Sequence, residues 1–169
     1  MSAQGDLIEG MTEEAGDYSF RLAGPEDAPV VARQRAAMFE DMGEVDANGA
    51  AAIENHAADH IQSLIEAREY LGFLAERDGE VVAGAGLWLR PLLPRPGTLQ
   101  GAIEGYVLNV YTERGHRRRG LARRLMLNIV EWCRGRGVAR VVLHASPEGR
   151  PLYEDLGFNL SNEYRLKLD

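Results

Sequence analysis

A short basic segment holds the residues whose types and spacing suggest chemistry most directly. The ten residues GHRRRGLARR, from Gly115 to Arg124, include five arginines and two glycines. Small residues at Gly120 and Ala122 would let an anion approach the free backbone N–H groups of a helix start, where the helix dipole and nearby arginines add positive charge. The segment therefore indicates a phosphate-binding loop. The helix that it opens is predicted from apolar residues at intervals of four, which are Leu121, Leu125, Ile129 and Cys133.

Other readings of this basic segment are less consistent with the sequence. No Gly-Lys-Ser/Thr follows, as in a Walker loop, and no GxGxxG dinucleotide motif is present. The segment Glu113–Arg140 carries nine arginines against two glutamates, a net +7, which leaves −14 for the rest of a chain whose net charge is −7. Nucleic-acid binders usually interleave basic with aromatic residues, and Trp132 alone is aromatic here. We expect no nucleic-acid partner, while a merely solvated basic surface stays open.

The overall composition is typical of one soluble domain. The chain has 169 residues, of which 45% are hydrophobic, enough for a single core. The polar, acidic residues 1–16 predict a flexible N-terminal tail before a domain over 17–169. Cys133 is the only cysteine, which excludes an intrachain disulfide and favours a reducing compartment. Since neither a secretory signal nor an apolar run of about 20 residues is found, we expect a cytoplasmic protein without a membrane partner.

Periodicity and turn residues predict a mixed sheet with helices on both faces, in the order βααβββαβαβ. Strands are predicted over 18–22, 70–76, 80–89, 102–111, 138–144 and 158–168, the last as one strand or two. Helices are predicted over 25–39, 48–68, 121–134 and 148–156. Asp78-Gly79 predicts a tight hairpin, and the prolines within 90–100 predict a loop.

A family resemblance follows from the basic loop and a second motif downstream. RRRGLA, from Arg117 to Ala122, matches the pattern (Arg/Gln)-x-x-Gly-x-(Gly/Ala), and PLYEDLGF, from Pro151 to Phe158, contains Tyr-x-x-x-Gly-Phe. In these motifs, and in its element order over residues 18–168, the chain resembles the GNAT superfamily of N-acetyltransferases. The resemblance implies an α/β fold with a mixed, mostly antiparallel central sheet. It also implies a V-shaped splay between two parallel strands that end near Tyr111 and His144.

The resemblance implies acetyl-CoA as co-substrate and assigns residues to it. A bulged strand would pair with pantetheine, and the Val110 N–H would polarise the thioester carbonyl. Amides at the helix start would bind the pyrophosphate, and the arginine side chains would add charge and reach the 3'-phosphate. Ser146 stands where many relatives carry an asparagine near the CoA arm, and its hydroxyl could hydrogen-bond there. The cofactor-binding residues expected in this way are Leu108, Asn109, Val110, Arg117, Arg118, Arg119, Gly120, Leu121, Ala122, Arg123 and Ser146.

Catalytic groups are expected on both sides of the thioester. Tyr153 matches the residue that commonly protonates the departing CoA thiolate, although a tyrosine there could simply pack at the surface. Glu104, on the central strand, is predicted as the base that takes the amine proton, with Glu40 or water alone as alternatives. Either carboxylate could also be only solvated.

The acceptor pocket is expected at the break between the two early helices. Its predicted lining is Met38, Phe39, Glu40 and Met42, of which the apolar side chains could instead be core or lid residues.

The remaining histidines and the cysteine have structural explanations. His144 is expected to hydrogen-bond at the end of a strand, with a catalytic role left open. His56 and His60 lie four residues apart, but no third ligand is evident, so no metal site is predicted. Cys133 is expected to be an inert core thiol.

Residues and resemblance together predict an acetyl-CoA-dependent N-acetyltransferase. It would move an acetyl group to a primary amine of a small molecule or peptide by direct attack in a ternary complex. The alternative is a non-catalytic acyl-CoA-binding regulatory module, which would keep Gly120 and the arginines but tolerate loss of Tyr153. The acidic body would favour a cationic acceptor. Relatives are often dimers, which leaves a homodimer open.

Overall fold

One six-stranded sheet forms the centre of the residues that the computed structural model describes, which are 12–94, 96, 97, 99 and 102–168. The strands are β1 (Thr12–Ala15), β2 (Tyr18–Leu22), β3 (Tyr70–Arg77), β4 (Glu80–Leu92), β5 (Ala102–Thr112) and β6 (Arg140–Leu143). The α-helices in these residues are α1 (Ala28–Asp41), α2 (Ala47–Glu66), α3 (Leu121–Gly135) and α4 (Arg150–Asp155). None of them is long and apolar enough to cross a membrane.

The strands lie side by side in chain order, and every neighbouring pair is antiparallel except β5 and β6. The parallel pair is connected through α3. Between β3 and β4, Asp78 and Gly79 have φ angles of 54° and 81°, as the predicted two-residue hairpin turn requires. This mostly antiparallel sheet with one parallel pair confirms the expected fold class.

Helices cover both faces of the sheet, and each face has its own apolar core. The core beneath α3 includes Phe73, Leu87, Leu125, Met126 and Ile129. The core beneath α1 and α2 includes Ala28, Val31, Ala32, Ile61, Tyr70 and Leu74. Adjacent residues of β3 supply opposite cores because side chains alternate along a strand. Burying one such Leu or Phe side chain contributes about 1.5–3 kcal/mol to the stability of the fold. The two helix layers therefore stabilise the central strands from both faces.

Two expectations about element boundaries are wrong. Residues 12–15 are not a loose tail but form β1, which pairs with β2, while residues 1–11 lie outside the described part. The loop expected from residue 90 begins later, because β4 continues to Leu92 and pairs Pro91 with Ile103. The pairing of β3 with β4 already ends at Trp88, so this end of β4 has a strand partner on one side only, where a proline is tolerated.

The strand expected over 158–168 is also not formed. Apolar residues alternate there, but no strand pairing exists over 158–168. Phe158 packs against the α3 core, whereas the apolar side chains from Leu160 onward remain in solvent. Leu160, Tyr164, Leu166 and Leu168 are each at least 80% exposed. Alternation makes a segment suitable for a half-buried strand, but a strand forms only when an edge of a sheet pairs with it.

Candidate active site between β5 and β6

A β-bulge interrupts the pairing of β4 with β5. Gly84 pairs with Tyr111 and Gly86 pairs with Leu108, so Asn109 and Val110 together lie opposite Ala85. Asn109 has a φ of 55°, in the left-handed region. The extra residue reverses the alternation, because Leu108 packs with the α1–α2 core whereas Val110 packs with the α3 core. The bulge expected at Leu108–Val110 is therefore present.

The same strand loses its parallel neighbour just before the bulge. The register of β5 with β6 ends at the pair Val107–Leu143, although β5 continues to Thr112. Leu108, Asn109 and Val110 follow directly after this last pair. A strand backbone that is paired on one side only can bind an extended ligand through main-chain hydrogen bonds. The expected splay thus lies beside the three residues assigned to pantetheine.

The phosphate-binding loop has the backbone that its sequence indicates. Gly120 is the N-cap of α3 with a φ of 80°, and no side chain caps the helix there. The amides of the first turn, at Leu121, Ala122 and Arg123, have no carbonyl within the helix to bind. The Leu121 side chain is buried, so only its backbone can meet a ligand. Arg118, Arg119 and Arg123 are exposed around this helix start.

Arg117 points away from this helix start and toward the end of α1. Its Nε donates to the Thr112 carbonyl oxygen at 2.9 Å, and its Nη2 pairs with Asp41. Arg114 binds the other Asp41 oxygen at 2.5 Å. These two guanidinium groups lower the pKa of Asp41. The Arg117 side chain therefore joins the loop to α1, a contact that the sequence does not signal because 76 positions separate the partners.

Tyr153 lies on α4, packed against the α3 core. Its ring meets the Phe158 ring edge-on, with centroids 6.0 Å apart. Burial raises the pKa of Tyr153, so its hydroxyl stays protonated at neutral pH. Within the described residues this hydroxyl has no hydrogen-bond partner. The turn before α4 is fixed by Ser146, whose Oγ accepts from the Gly149 N–H at 3.1 Å.

Glu104 is held between two arginines. It is 5% exposed, and its two oxygens accept from Arg90 at 2.5 Å and from Arg140. The three residues are paired across β4, β5 and β6. Both carboxylate oxygens are therefore engaged in joining strands, and this geometry does not support Glu104 as the base.

Tyr106 and His144 form a polar pair that the sequence does not reveal. Tyr106 lies two residues along β5 from Glu104, toward the bulge, and its hydroxyl is 2.6 Å from His144 Nδ1, just beyond the end of β6. The pair thus bridges the two parallel strands. His144 Nε2 lies 3.3 Å from Glu163 Oε1 and also contacts Arg165. Adjacent to Tyr106 on β4 is Trp88, which is 40% exposed.

The expected acceptor residues lie at the end of α1, and one of them connects to the bulge. The Arg35 guanidinium lies 4.9 Å from the centroid of the Phe39 ring, and its Nη1 donates to Asn109 Oδ1 at 2.5 Å. Met38 is half-buried, whereas Glu40 and Met42 are exposed. The structure therefore brings Phe39 to the bulge through Arg35, and it gives Glu40 and Met42 no contact with the bulge.

No metal centre is evident in the described part of the chain. No group of three or more His, Cys, Asp and Glu side chains there could hold a metal ion. His56 uses its Nδ1 to bind the Ala52 carbonyl at 2.7 Å. Cys133 is buried, and burial raises the pKa of its thiol to about 11.

Comparison with known proteins gives a consistent class. The family model described as the acetyltransferase (GNAT) family matches residues 37–158. A GCN5-related N-acetyltransferase from Ralstonia eutropha JMP134 is 32% identical, with a TM-score of 0.80 and coverage of 89% of this chain and 98% of that one. A predicted acetyltransferase from Clostridium acetobutylicum, whose crystal structure includes acetyl-CoA, is 24% identical, with a TM-score of 0.77 and coverage of 90% of this chain and 96% of that one.

A curated protein is also similar to this chain in sequence. The glucosamine 6-phosphate N-acetyltransferase of Trypanosoma brucei brucei is 32% identical over 97 residues, which are 57% of this chain and 63% of that protein. The aligned part thus spans less than two thirds of this relative. The mixed sheet, the splay between β5 and β6 and the match to the family model agree with one another. The chain belongs to the acetyltransferase (GNAT) family.

Proposed function

We propose that this protein is an N-acetyltransferase that moves the acetyl group of acetyl-CoA to a primary amine. The observation that carries the proposal is the bulge at Asn109–Val110, immediately after the last pair between β5 and β6. It leaves backbone groups of β5 able to bind pantetheine and directs the Val110 N–H to a thioester carbonyl. The first turn of α3, behind Gly120, would bind the pyrophosphate, with Arg118, Arg119 and Arg123 nearby.

The reaction proceeds by direct attack. The amine nitrogen bonds to the carbonyl carbon, and the Val110 N–H stabilises the developing oxyanion. The bond from carbon to sulfur then breaks, and the CoA thiolate takes a proton from Tyr153. Burial raises the pKa of Tyr153, which keeps this proton available at neutral pH.

The amine must also lose a proton, and we assign its removal to Tyr106 with His144. Tyr106 shares a strand face with Leu108, which points to the α1–α2 side where the acceptor would enter. In the tautomer with the proton on Nε2 toward Glu163, Nδ1 can accept the Tyr106 hydroxyl proton while that oxygen takes the amine proton. Arg165 contacts the same Nε2 and can only donate, so this tautomer requires the Arg165 side chain to move away. Glu104 lies about 13 Å along the strand from Leu108, twice as far as Tyr106.

A small-molecule amine is the acceptor that the comparisons favour. The trypanosomal relative bears the name of an enzyme that acetylates glucosamine 6-phosphate. A peptide amine remains the alternative acceptor, and a regulatory acyl-CoA-binding module remains the alternative function. The buried, unpaired Cys133 supports a reducing, cytoplasmic setting. A homodimer and the absence of a nucleic-acid partner remain predictions.

Calorimetric titration with acetyl-CoA, beside desulfo-CoA and ATP at two salt concentrations, tests the proposal. We expect selective binding of acetyl-CoA that survives moderate salt, and loss of binding in Gly120→Glu, which adds bulk and negative charge where backbone meets phosphate. Gly115→Ala, in the same loop, is the matched control. Equal, salt-sensitive binding of all three anions would mean that the arginines are only a charged surface.

Turnover is measured as amine-dependent release of CoA thiol. Release with at least one amine of a small-molecule panel supports the enzyme. Tight binding without release with either small-molecule or peptide amines would favour the regulatory module.

A further inference from the structure

We propose that Arg35, Asn109 and Tyr70 form a positioning cluster that fixes the β5 bulge for the thioester and ties it to the acceptor-side helix α1. The inference rests on the proposed function, and it assigns a role to residues that do not themselves touch the reacting atoms. None of the three belongs to either motif of the chain, and of them only Asn109 is among the residues that the resemblance assigns to the cofactor.

The backbone of the bulge needs such support. Asn109 adopts a φ of 55°, which L-residues rarely occupy, although asparagine tolerates it better than most. The neighbouring Val110 N–H is the group directed to the thioester carbonyl. A small rotation at Asn109 would therefore move the donor that stabilises the oxyanion.

The Asn109 side chain is fixed at both ends of its amide. Its Oδ1 accepts from Arg35 Nη1 at 2.5 Å, and its Nδ2 donates to the Tyr70 hydroxyl oxygen at 3.3 Å. Asn109 is 7% and Tyr70 3% exposed. Burial raises the pKa of Tyr70 to about 12, so the hydroxyl stays neutral and offers an oxygen to the amide. In a buried setting each of these hydrogen bonds is costly to lose.

The neighbouring strand is shaped to admit this cluster. A Cβ atom on Gly86 would lie 2.2 Å from the Tyr70 hydroxyl oxygen, and one on Gly84 would lie 2.5 Å from Gln34 Oε1. These glycines flank Ala85, the residue opposite the bulge. Because Gly84 and Gly86 have no side chain, the Tyr70 hydroxyl from β3 and the Gln34 amide from α1 can lie beneath the bulge.

Arg35 extends the cluster to the acceptor side. Its guanidinium lies over the Phe39 ring on α1 while it binds Asn109 on β5. A shift of α1 on acceptor binding would therefore move the Val110 amide through Arg35 and Asn109. Binding of the thioester at the bulge would shift α1 through the same contacts. The cluster should thus influence turnover and discrimination of the acetyl group more than it influences binding of the CoA nucleotide.

The ratio of the dissociation constants of CoA and acetyl-CoA provides a specific test, because only acetyl-CoA offers a carbonyl to the bulge. In Asn109→Ala and Arg35→Gln we expect this ratio to fall toward one and kcat to fall about tenfold to a hundredfold, as small misplacements do. Asn109→Asp should restore both values, since one oxygen can bind Arg35 and the other can accept from the Tyr70 hydroxyl. Arg33→Gln is the matched control, because Arg33 lies on α1 but pairs with Glu113 at 3.2 Å.

Amide hydrogen exchange of residues 108–110 in the ligand-free protein separates this inference from the proposed function. We expect faster exchange in Asn109→Ala and Arg35→Gln than in Arg33→Gln. If Asn109→Ala and Arg35→Gln left both the exchange rates of residues 108–110 and the ratio of dissociation constants unchanged, the positioning role of the cluster would be overturned even in an active enzyme. Failure of the unmodified protein to bind acetyl-CoA would overturn the proposed function, while the exchange rates would still decide whether the cluster fixes the bulge.

Discussion

At the residue scale, Tyr153 is the group whose chemistry depends most clearly on its surroundings. Its hydroxyl lies in a half-buried site next to Phe158, and burial raises its pKa above the ordinary value of about 10. A tyrosine is an acid only while protonated. The raised pKa therefore extends its competence to higher pH, and activity that depends on it should be lost only as pH rises through that raised value.

Tyr153→Phe removes the proton donor and keeps the ring. We expect kcat to fall about a hundredfold while the dissociation constant of acetyl-CoA changes little, because the phenyl ring still packs against the core. The measurement is CoA release under saturating amine, from neutral to alkaline pH. Tyr164→Phe is the control, since Tyr164 is 97% exposed. A wild-type rate in Tyr153→Phe across that range would remove Tyr153 from the mechanism.

Two substitutions on β5 test whether Tyr106 takes part in removing the amine proton and whether Glu104 has only a structural role. Tyr106→Phe should lower kcat about a hundredfold and leave the free energy of unfolding almost unchanged, because it removes one half-exposed hydroxyl. Glu104→Gln should lower the free energy of unfolding by about 1–3 kcal/mol, because its buried oxygens bind Arg90 and Arg140, with kcat largely retained. Urea unfolding and CoA release on both variants check this. Loss of kcat in Glu104→Gln at unchanged stability would restore Glu104 as the base.

At the element scale, local patterns predict what local interactions determine. The helix after the basic loop is predicted over 121–134 and found over Leu121–Gly135, because its four-residue apolar period is continuous. The hairpin at Asp78-Gly79 follows from two residues that tolerate positive φ. The family resemblance alone predicts the bulge and the splay, because no local pattern encodes a register shift between two strands.

Contacts between distant elements set the limit of prediction from sequence. Asp41 pairs with Arg114 and Arg117 across more than 70 positions, and its charge alone could not single it out among many acidic residues. The alternation after Phe158 predicts a strand, yet without a pairing edge the segment stays in solvent. The sequence predicts the place of Glu104 on β5 and so suggests it as a base, but it does not predict the two arginines that bind its carboxylate.

At the scale of the whole molecule, β5 connects the two apolar cores with the basic segment. It contributes residues to both cores, and the basic segment Glu113–Arg140 begins directly after it. The basic segment Glu113–Arg140 is joined by ion pairs to the acidic rest of the chain, because Arg114 pairs with Asp41 at the end of α1 and Glu113 pairs with Arg33 on the same helix. The α3 core and the α1–α2 core use alternate residues of the same strands. The bulge therefore lies between two layers that share one sheet, and its geometry depends on both.

Because one sheet supports both cores, the molecule should unfold as a unit. Leu125→Ala in the α3 core and Leu74→Ala in the α1–α2 core should each lower the free energy of unfolding by about 2–5 kcal/mol, with nearly additive effects in the double variant. Urea unfolding followed by Trp132 fluorescence in a Trp88→Phe background reports the α3 face, and far-UV circular dichroism reports the whole chain. Coincident transitions in every variant are expected, because strands that lose one core lose support for the other. If Leu74→Ala shifted the circular dichroism midpoint and left the Trp132 midpoint in place, the two layers would be separate folding units, and coupling from α1 through the bulge would lose its structural basis.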